Sequence, residues 1–296
     1  MASGAQRMEY VAGAQDEGKK LKSVLRGALE MSSSLISRVK LLDDGIMLNG
    51  QRAFTNAVVH SGDVVSVRIA DEPSPGEVEP MEFPLDIVFE DEYIVVINKP
   101  GDMAVHPSVF LKDKCTVANA MAAYLGEGST FHPVNRLDRG TTGLMTVAKS
   151  AYVHELLRRR LHTGEFCREY RAVVIGVPEP ASGMIEMPIA REAGSVVKRE
   201  ISDDGDPSRT YYEVLSVKDG RAFVRLRPFT GRTHQLRVHM AAIGHPLAGD
   251  WLYGTEDREL IARPALHSYM LSVRHPVTGE SLELTAPIPP DMAALI

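Results

Sequence analysis

The chain has 296 residues, 44% of them hydrophobic, 24% charged and 6% aromatic, with a formal net charge of −6. Such a composition supports a buried core and excludes wholesale disorder, and the length suits one large domain or a small one beside a large one. No apolar run approaches the roughly 18 residues of a membrane span, and residues 1–20 lack the apolar stretch of a secretory signal.

Residues 1–17 read as a flexible N-terminal extension, followed by a small module over 18–70. Leu21, Val24, Leu25 and Leu29 recur at helical spacing, and Ser32-Ser33-Ser34 offers a cap for a second helix carrying Leu35, Ile36, Val39 and Leu42. Asn49-Gly50 is a tight-turn signal, and Val65, Val67 and Ile69 alternate with polar residues as in a half-buried strand. Residues 71–84 carry four prolines and five acids and read as a linker, the one clear domain boundary. From residue 85 to 296 the chain is rich in strands. Strands are predicted at Ile87–Phe89, Tyr93–Ile97, Leu144–Ala148, Tyr170–Val177, Thr210–Val217, Phe223–Arg227, Leu266–Val273 and Ser281–Leu284. Helices are predicted at Thr116–Leu125, Ser150–His162 and Thr233–Ile243. Strand runs with interspersed helices and short turns give an α+β fold with a mixed, mainly antiparallel sheet.

The negative net charge hides an uneven distribution. Lys19, Lys20, Lys22, Arg26, Arg38 and Lys40 face a single acid, Glu30, within residues 19–40. Residues 71–92 hold nine acids and no Lys or Arg, and residues 136–171 return to eight basic residues against four acids. Phosphates respond to a local patch over a screening length of ~8 Å, not to the average over the chain. Ordinary solvated helix faces are the plain alternative.

Cys115 and Cys167 show no partner pattern, so neither a disulfide framework nor a zinc site is expected. The stretch from Gly13 to Lys20 lacks the hydroxyl of a phosphate-binding loop and carries Asp16 and Glu17. Signatures of nucleotide, redox and metal cofactors are missing, so the chemistry is expected to need side chains alone.

Two polar clusters stand out. Residues 133–144 set Asp138 between Arg136 and Arg139, ahead of Gly140, Thr141, Thr142 and Gly143. Neighbouring cations favour the ionised form of a carboxylate, which suits a nucleophile or base; a salt-bridged structural turn fits the same pattern. Residues 228–237 place Gly231-Arg232-Thr233 at a helix start, where an anion is favoured; a capped helix with solvated polar residues reads equally well.

Together these clusters carry a resemblance. Asn135-Arg136-Leu137-Asp138-Arg139-Gly140-Thr141-Thr142-Gly143-Leu144 resembles the His-Arg-Leu-Asp-x-x-Thr-Ser-Gly-Leu signature of the RluA-type pseudouridine synthases. Glu90–Tyr93 through Asn98-Lys99-Pro100-Gly101 and Val105-His106-Pro107, then Cys167–Ala172, then Gly231–His239 with Gly244–Asp250, resemble the other motifs of that family in order. Residues 18–69 are similar to the alpha-L RNA-binding module that precedes the catalytic domain in several members. Asn135, Thr142 and Arg168 stand where many members have His, Ser and Lys.

The resemblance implies an isomerase that breaks the base–ribose bond of uridine in RNA, turns the uracil and rejoins it through carbon 5. It implies Asp138 as the essential carboxylate, Tyr170 packed on the base and a candidate to help remove the carbon 5 proton, and Arg232 paired with Asp138. Arg136 would enter the space left by the flipped base, and Arg139, Thr142 and His106 would contact the substrate. The six basic residues of the module would meet RNA phosphates. No metal or cofactor is implied. Ribosomal RNA of the large subunit is favoured over transfer RNA as partner, and a cytoplasmic monomer with no membrane contact is expected. A glycoside or nucleoside hydrolase, which would want a second carboxylate near Asp138, and a catalytically idle RNA-binding assembly factor are the competing readings.

Overall fold

A computed structural model of the chain describes residues 6–71, 78–108, 114–126, 129–161 and 163–296, so residues 72–77 of the proline-rich linker lie outside the described residues. The N-terminal unit is built from β1 (Arg7–Val11), α1 (Leu21–Gly27), α2 (Ser33–Val39), β2 (Ile46–Leu48), β3 (Gln51–Arg52) and β4 (Val64–Arg68). Its strands run antiparallel in the order β1-β4-β2-β3. Ser32 caps α2 by accepting the Leu35 N–H at 3.2 Å. Asn49 and Gly50 take positive φ of 52° and 78°, the two-residue turn that suits the strand twist.

Strand β1 corrects the expectation of a flexible extension. Met8 and Tyr10 pack on the core, and Arg7 bridges to Asp44 at 3.5 Å. Five residues with two inward side chains were too short a pattern to stand out in sequence.

The larger unit contains β5 (Ile87–Glu90), β6 (Ile94–Lys99), α3 (Val117–Leu125), β7 (His132–Pro133), β8 (Thr142–Ala148) and α4 (Ala151–Arg160). It continues through β9 (Phe166–Ile175), β10 (Ser182–Glu186), β11 (Ile189–Arg191), β12 (Arg199–Ile201), β13 (Arg209–Lys218) and β14 (Arg221–Pro228). The last elements are α5 (Gln235–Ala242), β15 (Leu266–Arg274), β16 (Ser281–Thr285) and α6 (Pro290–Ala293). Ten strands form one sheet in the order β10-β13-β14-β9-β15-β8-β6-β5, with β16 on β15 and β7 on β8. All its pairings are antiparallel except that of β15 with β8, so the mainly antiparallel mixed sheet is as expected. Gly143 makes that parallel contact possible: its φ is 104°, and a Cβ there would lie 2.3 Å from the Ser268 carbonyl oxygen.

The two units share a core. One apolar cluster runs from Leu21, Leu25 and Val67 into Ile94, Leu144, Tyr152 and Leu157. Polar contacts reinforce it. The buried Tyr152 hydroxyl donates to the Leu29 carbonyl at 2.8 Å, and Arg159 donates to the Glu30 carbonyl at 2.7 Å. Asp71, first residue of the expected linker, accepts the Ala151 N–H at 3.2 Å and lies 2.6 Å from His132 Nε2 and 3.8 Å from Arg38. The basic helix pair is therefore held against α4 rather than loosely tethered.

Truncating Tyr152 removes a buried ring and strands the Leu29 carbonyl, so Tyr152→Ala should cost about 3–5 kcal/mol. Calorimetry should show one transition for the wild type and earlier melting in the variant, with the N-terminal unit separating. A variant that melts like the wild type would contradict the shared core.

Candidate active site

Asp138 sits on the loop between β7 and β8, and that loop is fixed from behind. Buried Asn135 accepts the Thr146 N–H through its side-chain oxygen at 2.8 Å, which makes this position a clamp and not a titrating group. The Thr141 N–H closes a turn on the Asp138 carbonyl at 3.0 Å. Lys99, fully buried at the end of β6, donates to the carbonyls of Pro100 and Met103 at 2.8 Å each and of Arg139 at 3.2 Å. Burial pulls its ammonium down to about 7, against the opposing pull of the Asp138 charge.

In front of the loop lies a cleft of about 750 Å³, within the size range of small-ligand sites. Asp138 is the only carboxylate among the described residues that line it. Its Oδ2 is 3.4 Å from Nη1 of Arg237 on α5. Arg237 is buried and forks onto Asp250, with both nitrogen–oxygen distances 2.7 Å. Asp250, completely buried, also accepts the backbone N–H groups of Leu252 and Tyr253 at 3.1 and 3.3 Å. The Tyr253 ring lies 5.0 Å from the Arg237 guanidinium. A bidentate Arg–carboxylate pair fixes the plane of the guanidinium, so the nitrogen offered to Asp138 has a defined direction.

His234 adds to the site from the start of α5. Its Nε2 is 3.9 Å from Asp138 and its Nδ1 is 2.8 Å from the Tyr253 hydroxyl oxygen. Burial lowers its pKa, so the ring is neutral near pH 7. Tyr170 on β9 lines the cleft beside Leu236 and Leu266. It is buried, and burial raises its phenol above the ordinary value. The ring is thus a packing face that carries a protonated hydroxyl near pH 7.

Arg232 requires a correction. It does not pair with Asp138; its Nη1 is 3.4 Å from Asp206 and its Nε 3.4 Å from the Pro207 carbonyl, at the rim. The reason is where the helix begins. Residues 232–234 form a turn, with His234 left-handed at φ 58°, and α5 starts at Gln235. That turns Arg232 outward and puts Arg237 on the inner face with Leu236 and Met240.

Other expected contacts divide. Arg136 and His106 line the cleft. Arg139 pairs with Asp102 at 2.5 Å and does not line it. Thr142 is buried, its hydroxyl 2.9 Å from His267 Nδ1, so it supports the sheet and does not face a substrate. In the N-terminal unit Lys19 is paired with Asp16 at 3.2 Å and Arg38 with Asp71. Lys20, Lys22, Arg26 and Lys40 are exposed and show no side-chain hydrogen bond or ion pair among the described residues. Two further arginines line the cleft: Arg168 on β9, which the motif comparison marks as standing where many members have Lys, and Arg158 on α4, which the sequence reading does not single out. Like Arg136 they have no ion-pair partner among the described residues, and the Nε of Arg168 is buried without a hydrogen bond. The basic run 158–160 was the available signal.

The family model described as RNA pseudouridylate synthase matches residues 93–242, the stretch that supplies Asp138, Tyr170 and Arg237. The chain belongs to the RNA pseudouridylate synthase family. A ribosomal large subunit pseudouridine synthase D of Vibrio cholerae is 41% identical over 278 residues, covering 88% of this chain and 85% of its own. The RNA pseudouridine synthase YjbO of Bacillus subtilis is 37% identical over 273 residues, covering 91% and 96% respectively. The structure of human RNA pseudouridylate synthase domain containing 1 superposes with a TM-score of 0.58 at 28% identity, over 75% of this chain and 89% of its own. This pseudouridine synthase is of the RluA type, an isomerase that converts uridine to pseudouridine in RNA.

The two arginines can be told apart by turnover. Arg237→Lys loses the fork and should lower kcat on the order of 10²-fold, while Arg232→Ala should leave kcat near wild type. The reverse ranking would return Arg232 to the role at Asp138.

Proposed function

We propose that the RNA is large-subunit ribosomal RNA and that Asp138 acts at the anomeric carbon of the target uridine. The reading rests on one arrangement: the one carboxylate among the described cleft residues, held by a guanidinium that Asp250 fixes, near Arg136, Arg158 and Arg168, which have no ion-pair partner among the described residues. In the isomerisation the N1–C1′ bond breaks, the freed uracil turns, and a C5–C1′ bond forms as the C5 proton passes to solvent water. The charge of Asp138 serves either as nucleophile at C1′ or as a base towards a glycal. Arg237 holds it in place, with the neutral His234 ring beside it. Tyr170, Leu236 and Leu266 offer the flipped base an apolar slot.

Arg158 and Arg168 would meet the phosphates around the extruded nucleotide and Arg136 would enter the space it leaves, offsetting the few kcal/mol that flipping costs. The choice of ribosomal RNA draws on the relatives named for the large ribosomal subunit and on the basic N-terminal unit. A glycoside hydrolase would need a second carboxylate across the cleft, and the described lining holds none beyond Asp138.

Tritium release from RNA labelled at uracil carbon 5 tests the proposal. Transcripts of large-subunit ribosomal RNA and of transfer RNA are compared without added cofactor. Release is expected from the ribosomal transcript, and Asp138→Ala should abolish it while RNA affinity persists. Release from transfer RNA alone would overturn the substrate assignment, and turnover by the variant would overturn the role of Asp138.

A further inference from the structure

Phe54 is the wrong residue for its place. It follows β3 and is 68% exposed, while Ala53 and Ala57 on either side pack towards the core. The segment around it is nevertheless well fixed. Lys22 N–H donates to the Thr55 carbonyl at 2.9 Å, Leu21 N–H to the Ala57 carbonyl at 2.8 Å, and Val59 N–H to the Lys19 carbonyl at 2.9 Å. Lys20 and Val58 form an antiparallel bridge between these bonds. Residues 55–59 thus lie alongside 19–22, and the exposed ring is presented next to the start of α1. Arg52 lies over the ring, its guanidinium carbon 5.8 Å from the centroid, and is itself held by Asp43 at 2.5 Å. Lys20, Lys22 and Arg26 supply the unpartnered positive charge on this side of the unit.

An isolated exposed aromatic needs no explanation. An exposed aromatic on a fixed backbone, with a cation over its ring and unpaired lysines on the neighbouring strand of chain, matches what an unpaired nucleobase requires. The base stacks on the ring, and the adjoining phosphates meet the cations. We propose that Phe54, with Lys20, Lys22 and Arg26, is a stacking site for a single-stranded nucleobase of the substrate RNA, separate from the cleft that takes the target uridine. The proposal rests on the reading of the chain as an enzyme acting on RNA. Every base has a stacking face, so the site adds affinity and register, not base identity. Because the N-terminal unit shares its core with α4, a base held at Phe54 stands at a set distance from Asp138.

The test uses the full chain and the exposed-residue variants Phe54→Ala, Phe54→Leu and Phe54→Trp. Fluorescence anisotropy with a labelled single-stranded oligouridylate reads binding without turnover, and tritium release from the ribosomal transcript reads KM and kcat. Phe54→Ala and Phe54→Leu should weaken oligouridylate binding and raise KM by about 10-fold, leave kcat unchanged, and be rescued by Phe54→Trp. Wild-type binding by Phe54→Leu would mean that no aromatic stack exists. Absence of oligouridylate binding by the wild-type protein would equally overturn the site. Absence of tritium release from every RNA, with binding that depends on Phe54, would count against the functional reading alone.

Discussion

Arg237 is shared between two carboxylates, and the active site depends on that sharing. Buried alone, either Asp250 or Arg237 would be an uncompensated charge; paired bidentately they satisfy each other and leave one guanidinium nitrogen for Asp138. The pair bridges α5 and the turn after it, while Asp138 comes from a loop far away in sequence. Lys99 ties that loop, through the Arg139 carbonyl, to the turn after β6, whose Pro100 and Met103 carbonyls it also holds. Asp138 is therefore positioned from two elements, and in the proposed reaction such positioning is how binding energy becomes orientation at the reacting carbon.

Helix α4 couples the second constraint to the first. His154, Arg158 and Leu161 follow one another at helical spacing and line the cleft, while Tyr152 and Arg159 hold the N-terminal unit. One short helix thus lines the cleft and anchors the N-terminal unit. Uridine is common in any long RNA, so a pocket alone is a poor selector. In the proposed reading, a second contact at a set distance supplies the missing discrimination.

Much of this was legible in the chain. Ser32, Thr116 and Ser150 cap the helices where their spacing placed them, and the four motif blocks name the strands and loops that meet at the cleft. What could not be read depends on direction. Arg232 and Arg237 stand five residues apart in one motif, and which of them faces Asp138 is decided by a two-residue shift in the start of α5 and the left-handed turn at His234. Thr142 looked like a substrate contact because it follows Asp138, yet β8 alternation turns its hydroxyl to His267. Asp71 read as linker by composition, while its carboxylate is fixed by residues up to 80 positions away, which no local pattern records.

Asp250 offers the most direct test, because it is buried and meets Asp138 only through Arg237. Single-turnover isomerisation by Asp250→Asn keeps the side-chain shape and an oxygen for the Leu252 and Tyr253 N–H groups, but removes the charge that fixes Arg237. The account predicts a slowing on the order of 10²-fold with RNA affinity unchanged. A wild-type single-turnover rate would show that Asp138 is positioned by something else.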